Sequence, residues 1–560
     1  MPLKLTILAL VATLAAGCWV ASLAQAQQHH APRVKLGQDW RTLRDAMDRT
    51  FEQLQQADGV TPTEIVDDGI YLRRIYLDLT GAPPSPAEIE AFNPGGKDRA
   101  GRTGQKKREA IVETLLNSPA SHEHLAQWWT TVLVSRNEPN FGRSGRYTLQ
   151  PYLTESFKKN TPFDKLVRGM FGAVGDKNGT PYWGYFMELL ATQDLGYVAG
   201  HTSRVFLGRQ VQCAECHDHH LGDWKQDDFE AWQAFFKSFI GSREVMGETY
   251  LYMQPDLKFR ALKDVETSLK LKGKYKLPRY LDGTDWKPRA GKTIREDLAD
   301  WMTGKDNPWF REMTVNRWLQ YFLGFGIVNP VDDFTSINDP NIPVILRVMG
   351  EDFAASGFDT RYLIQAITTS RLYQRKAAPN PEGSQDRMYY SRQQVRALTP
   401  EMLARSIVKV LNLDELNPKS RGSSSRQALR RGVQLATRAD DISVESYKVR
   451  LAAMLHEAFD GVQVIKEVDD RGGGMMQALM FMNAEILPRN LEYSLTSILK
   501  RHKRDDARIE QIFMTVLGRK PDADELRAVE SEVKRWAGPT TAWEDLFLAL
   551  MCTTEFSNRN

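Results

Sequence analysis

The feature that most limits the folds open to this chain is a unit written twice, once near each end. Ile75-Tyr-Leu-Asp-Leu-Thr-Gly81-Ala-Pro-Pro84-Ser85-Pro-Ala-Glu88-Ile89 aligns without gaps on Ile512-Phe-Met-Thr-Val-Leu-Gly518-Arg-Lys-Pro521-Asp522-Ala-Asp-Glu525-Leu526. In the first copy Leu72, Ile75, Tyr76 and Leu79 recur at helical spacing, and Gly81 stands where a helix C-cap belongs. Ser85, Pro86 and Glu88 then write a capping box with proline in the first turn. Downstream, 109–118 resembles 544–553, and 363–370 is a weaker echo. These spacings predict helical hairpins that end in a Ser or Thr stop, a scaffold that needs no function to explain it. Cys552 falls on such an apolar helix and is expected to be a core residue.

The expected fold class is mainly α: two helical domains with repeated helical hairpins and a small β-ribbon insertion. The boundaries read as a signal peptide over 1–26, an N-terminal extension over 27–63, a first helical domain over 64–240, a linker with the ribbon over 241–295, and a second helical domain over 296–560. A helix is expected around 39–56. The ribbon rests on Leu269, Leu271, Tyr275 and Leu277 alternating with Lys270, Lys272, Lys274 and Lys276 around Gly273. Residues 419–432, KSRGSSSRQALRRG, read as a basic, serine-rich loop.

The N-terminus reads as an export signal. Lys4 supplies the positive start, an apolar run follows to about Val20, and Ala24-Gln25-Ala26 is a small-x-small cleavage site. Cleavage after Ala26 would leave a protein of the periplasm or cell surface. Ala15-Ala16-Gly17-Cys18 offers a lipoprotein alternative, though Ala15 replaces the larger aliphatic residue usual there. No later run is long and apolar enough to span a membrane. A formal net charge of +3 over 560 residues gives no electrostatic reason to expect nucleic acid as a partner.

Four cysteines occur in the chain, and Cys18 lies inside the signal. One close pair and a distant cysteine are not a disulfide framework. The pair is followed by histidine: Cys213-Ala-Glu-Cys216-His217, the attachment pattern of c-type haem. Each thiol adds to one vinyl group, and the histidine follows as the proximal iron ligand. Other readings stay open: a local disulfide, a thiol–disulfide redox pair, or zinc or iron held by these residues. A metal cluster of Asp218, His219, His220 and Asp223 belongs to the last reading. His122, His124, His201, Met246 and Met253 are remote candidates for a second haem ligand. After the site, Asp227 and Glu230 suggest a capping box, and Phe229, Trp232, Phe235, Phe236 and Phe239 an apolar helix face.

The strings YLRRIYLDLTGAPPSPAEIEAF, RVFLGRQVQCAECHDHH and WKQDDFEAWQAFF resemble the cytochrome-like domain of large secreted proteins abundant in planctomycetes. WMTGKDNPWFREMTVNRWLQYFLGFGIVNPVDDF and GFDTRYLIQAITTSRLYQR resemble the second domain of the same proteins. Both are domains of unknown function, and the likeness covers about 67–239 and 297–556, in order. It implies export and a two-domain architecture and names no reaction. The family's Cys-x-x-Cys-His-Asp-His run falls on Cys213, Cys216, His217, Asp218 and His219. His220 stands where the family often has Pro or Lys, and Phe325 stands between Gly324 and Gly326 where it usually has Arg.

No Ser-His-Asp order, phosphate loop or nucleotide fingerprint stands out, and Asp332-Asp333 has no nearby His or Cys. Enzymatic activity is therefore left open. The expected role is single-electron transfer or haem-ligand binding with an exported redox partner. The alternatives are a surface binding or assembly scaffold in which CxxCH staples a loop, and a non-haem metal enzyme. N-terminal sequencing of protein from the native host should give a start at Gln27; a lipidated start at Cys18 would replace this with the lipoprotein reading.

Overall fold

The computed structural model describes residues 36–134, 149–172, 194–218, 224–237, 240–245, 248–253, 277–335, 338, 342–378, 386–412, 486–535 and 541–559, with Tyr185 and Leu189. Helices dominate these residues, as a mainly α fold requires. In chain order they begin with α1 (Trp40–Ala57), α2 (Asp68–Thr80), α3 (Pro86–Phe92), α4 (Gly104–Leu116), α5 (Pro119–Leu133), α6 (Gln150–Lys158), α7 (Phe163–Gly172), α8 (Leu195–Leu207) and α9 (Gln226–Lys237). A hairpin of β1 (Ile240–Val245) and β2 (Glu248–Met253) comes next. Then follow α10 (Ile294–Met302), α11 (Pro308–Leu323), α12 (Pro343–Ala355), α13 (Thr360–Thr368), α14 (Arg371–Gln374), the short strand β3 (Arg396–Ala397) and α15 (Pro400–Val410). The chain closes with α16 (Ile486–Arg501), α17 (Asp505–Val516), α18 (Ala523–Arg535), α19 (Thr541–Met551), α20 (Thr554–Ser557) and β4 (Asn558–Arg559), which pairs with β3. None of the described helices is long and apolar enough to cross a membrane.

The repeat is visible at its joints. Gly81 and Gly518 both take left-handed backbone, at φ 71° and 72°, which an L side chain adopts only under strain. Both capping boxes form. Ser85 N–H donates to Glu88 Oε2 at 2.6 Å, and Asp522 N–H to Glu525 Oε2 at 2.8 Å. The predicted Ser/Thr stops also share one geometry. Ser118, Ser370 and Thr553 each donate to the carbonyl three residues back, at 2.7 Å in all three. Each also accepts the N–H three residues on, from Ser121, Tyr373 and Phe556. One hydroxyl thus ends one helix and caps the next.

The two copies pack on each other. A Cβ at Gly518 would lie 3.3 Å from the Pro84 ring, and Arg73 of α2 donates to Leu517 O at 3.0 Å and Glu555 O at 2.7 Å. Every residue of α2 from Tyr71 to Thr80 is buried, because α2 serves two cores. The first takes Leu72, Ile75 and Leu79 of α2 with apolar residues from α1 to α14; the second takes Leu77 with α15, α16, α17 and α19. Helices α10 to α13 share the first core with α1 to α9. Cys552 packs against the second core, half-buried, and burial raises its thiol pKa.

A β-hairpin does lie in the segment expected to carry the ribbon. The observed hairpin occupies 240–253, and the Leu/Lys alternation at 269–277 lies outside the described residues apart from its last position, Leu277. The 419–432 segment is also outside them.

Asp78 is fully buried in α2. Its carboxylate accepts from Tyr373 Oη at 2.8 Å and pairs with Arg559 of β4, and its carbonyl accepts from Tyr321 Oη at 2.6 Å. Removing one partner of a buried pair leaves the other charge uncompensated, a loss of about 3–5 kcal/mol. Asp78→Ala should therefore lower stability to urea by that order; a midpoint equal to wild type would show that the pair does not hold the C-terminal strand.

Candidate functional site

The CxxCH segment is positioned by two helices. α8 ends at Gly208, in left-handed backbone at φ 65°, with its N–H on Arg204 O at 3.1 Å. Beyond the cap, Val211 is buried, the Arg209 guanidinium lies 4.4 Å from the Trp309 ring centre, and Arg209 donates to Phe334 O. The chain then makes a single 3-10 turn, Gln212–Glu215, with Ala214 buried beneath it.

Two glycines one helical turn apart let that turn lie against the backbone of α8. A Cβ on Gly196 would fall 2.0 Å from Glu215 Oε1, and one on Gly200 would fall 2.9 Å from Gln212 Cβ. Burial raises the Glu215 carboxyl pKa, Asp194 adds to this, and Lys237 opposes it. On the other side Gln226, the first residue of α9, donates its main-chain N–H to Asp218 Oδ1 at 2.9 Å and its side-chain amide to Glu215 O at 3.2 Å. Trp232 Nε1 donates to Ala199 O at 3.0 Å and locks α9 onto α8.

On this seat Cys213 and Cys216 are both exposed and not joined to each other. His217 is also exposed, with Nδ1 2.8 Å from Asp218 O. A carbonyl can only accept, so in the neutral ring the proton sits on Nδ1 and the lone pair on Nε2. That is the tautomer a metal-ligating histidine adopts when a backbone carbonyl orients it. Two thiols and this imidazole, facing solvent within one turn, are a donor set that fits a covalently held haem.

Of the alternative metal cluster, only Asp218 is among the described residues. The Asp218 carboxylate caps the start of α9, while His219, His220 and Asp223 lie outside the described residues. Among the described residues no three His, Cys, Asp or Glu side chains gather as a metal-binding group.

The remote histidines are placed elsewhere. His122 lies 3.0 Å from Leu116 O through Nε2 and His124 2.9 Å from Tyr321 Oη, both buried in α5. His201 is buried on α8 between Tyr185 and Tyr197, and burial brings its pKa down to about 3. Met253 is on β2 and Met246 outside the described residues.

One local expectation is corrected and one is met. The cap of α9 is formed two residues early, by Lys225 N–H on Asp228 Oδ2 at 3.0 Å, because Asp218 and Gln226 fix the helix start ahead of Asp227. Phe229, Trp232, Phe235 and Phe236 are fully buried core residues that bind α9 to its neighbours; Phe239 lies outside the described residues. Sequence reading missed Gly196 and Gly200. Their spacing of four within an apolar helix is the signal that could have found them.

Gly200→Val should slide the turn off α8, since Gln212 Cβ is fixed to its backbone and cannot swing aside. Hydrogen exchange should quicken about tenfold or more at the Gln226 amide, with the α2 amides unchanged. Unchanged exchange at Gln226 would mean the glycine face does not seat the site.

Comparison with known families gives two matches. Residues 46–240 match PSCyt2, described as a protein of unknown function (DUF1549), and residues 294–533 match PSD1, described as a protein of unknown function (DUF1553). No curated protein and no solved structure matches the chain. The chain thus carries two adjacent domains of unknown function, the first bearing the CxxCH turn and the second starting at α10.

Proposed function

We propose that Cys213, Cys216 and His217 hold one c-type haem, and that the first domain is the cytochrome-like domain of an exported, planctomycete-type protein. The observation that carries this reading is the state of the turn: two exposed thiols with no bond between them, followed at once by an exposed imidazole with its lone pair on Nε2. The two thiols would take the thioether bonds and His217 the iron. The haem, when bound, supplies a one-electron change at its iron. The chain's own residues orient it. The glycine face of α8 and the Gln226 bonds fix the turn from both sides. The Asp218 carbonyl fixes the His217 tautomer. A site on the surface would suit electron exchange with another exported protein, or binding of a small ligand at the iron.

A second reading has its own observation. Residues 212–218 join α8 to α9, so an oxidised Cys213–Cys216 pair would staple that joint in a binding or assembly scaffold.

Protein made in a host with haem-attachment machinery should keep a red chromophore through denaturing electrophoresis. The peptide spanning 213–217 should gain a haem-sized mass. A colourless protein with free thiols on that peptide would end the haem reading. A disulfide there would favour the staple, and stoichiometric zinc or iron without haem would favour the metal site.

A further inference from the structure

A cavity of about 190 Å³ opens beside the loop that follows α11, within the second matched segment. Phe325, Ile327, Ile342 and Met388 give it apolar walls, Gly326 lines it with main chain, and the exposed Asn329 stands at its edge. None of the described residues lining it carries a charge. The Phe325 ring is half-buried, and Tyr390 covers one of its faces, with ring centres 4.8 Å apart and planes at 6°. No other ring or cation among the described residues lies against it.

The loop is clamped from beneath. Asn316 of α11, fully buried, accepts from Val328 N–H at 3.1 Å and donates to Val328 O at 2.8 Å and Val331 O at 3.1 Å. A Cβ at Gly326 would fall 2.5 Å from Asn316 Oδ1, so the loop closes on this clamp only with glycine there. Tyr390 donates its hydroxyl to Phe325 O at 3.0 Å and packs edge to face with Phe51, ring centres 5.1 Å apart. An aromatic platform fixed in this way loses little freedom when a ligand stacks on it. The Asn329 side chain makes no hydrogen bond to any described residue, and its amide offers an acceptor beside a donor.

We infer that this cavity binds a neutral planar heteroaromatic ring of the nucleobase type, stacked on Phe325 with a donor–acceptor edge on the Asn329 amide. Stacking on an aromatic side chain needs only a planar ring. An Asn amide reads an adjacent donor and acceptor with two bonds, as it does on adenine. Apolar walls without a countercharge disfavour an ionised ligand. A cavity of about 150 Å³ takes benzene, so this one takes a ring system of about eight to eleven non-hydrogen atoms. The site lies in the second matched segment and does not depend on the haem reading.

The probes 9-methyladenine and 9-methylpurine separate the edge from the stack, because only the first carries an amino donor. Titrated into the full chain by calorimetry, 9-methyladenine should bind at one site, about tenfold tighter than 9-methylpurine. Adenosine 5′-monophosphate should bind no tighter than 9-methyladenine. Asn329→Ala, at an exposed position, should bring 9-methyladenine down to the 9-methylpurine level with the thermal midpoint unchanged. Phe325→Ala should weaken both probes about tenfold or more. If Phe325→Ala does not fold, the ratio of the two probes and Asn329→Ala still decide. No binding of 9-methyladenine, equal binding of the two probes, tighter binding of the monophosphate, or 9-methyladenine binding unchanged in either folded variant would each overturn the proposal.

Discussion

The buried carboxylate of Asp78 is the point on which the rest of the packing depends. α2 enters the centre of the molecule carrying Arg73, Arg74 and Asp78 among its apolar residues, all buried. Charges there are tolerable only when each is paired. Arg73 is met by carbonyls of Leu517 and Glu555, Arg74 by carbonyls of Tyr373 and Arg375, and Asp78 by Tyr373 and Arg559. The partners come from segments remote in sequence. Satisfying one helix therefore specifies how the middle and the end of the chain must return to it. Such a pair adds little net stability over an apolar isostere, but breaking it is costly, which makes it a device for selecting one arrangement.

The same economy appears in the helical joints. A left-handed glycine, a capping box and a hydroxyl that closes one helix while opening the next recur at both ends of the chain. The second copy is no mere echo, because Gly518 meets Pro84 and α17 packs on α3. Duplicate hairpins that dock on one another bring the C-terminal residues back to α2, so β4 can reach β3 and Asp78.

The CxxCH turn sits at the opposite extreme of burial. Its reactive atoms face solvent, while its backbone is held by glycine contacts below and by α9 beside it. Rigid support under exposed side chains is what the proposed haem site would require. Phe325 shows how a departure from the family pattern is absorbed. It stacks on Tyr390 with ring centres 4.8 Å apart, and its carbonyl accepts from the Tyr390 hydroxyl at 3.0 Å.

The sequence by itself determined the local chemistry: the helices, the repeated caps and stops, the αL glycines and the Cys-x-x-Cys-His spacing. These depend on residues within a few positions of each other, where hydrogen-bond reach and helical period leave little choice. Tertiary structure alone decided what those elements meet. It set the Asp218 carboxylate on the first amide of α9, and it kept His122 and His124 in α5, bonded there to Leu116 and Tyr321. It packed α10 to α13 into one core with α1 to α9. The physical reason is that burial and pairing depend on partners hundreds of positions away, such as Asp78 with Arg559, and no local pattern in either segment encodes which partner the other will find.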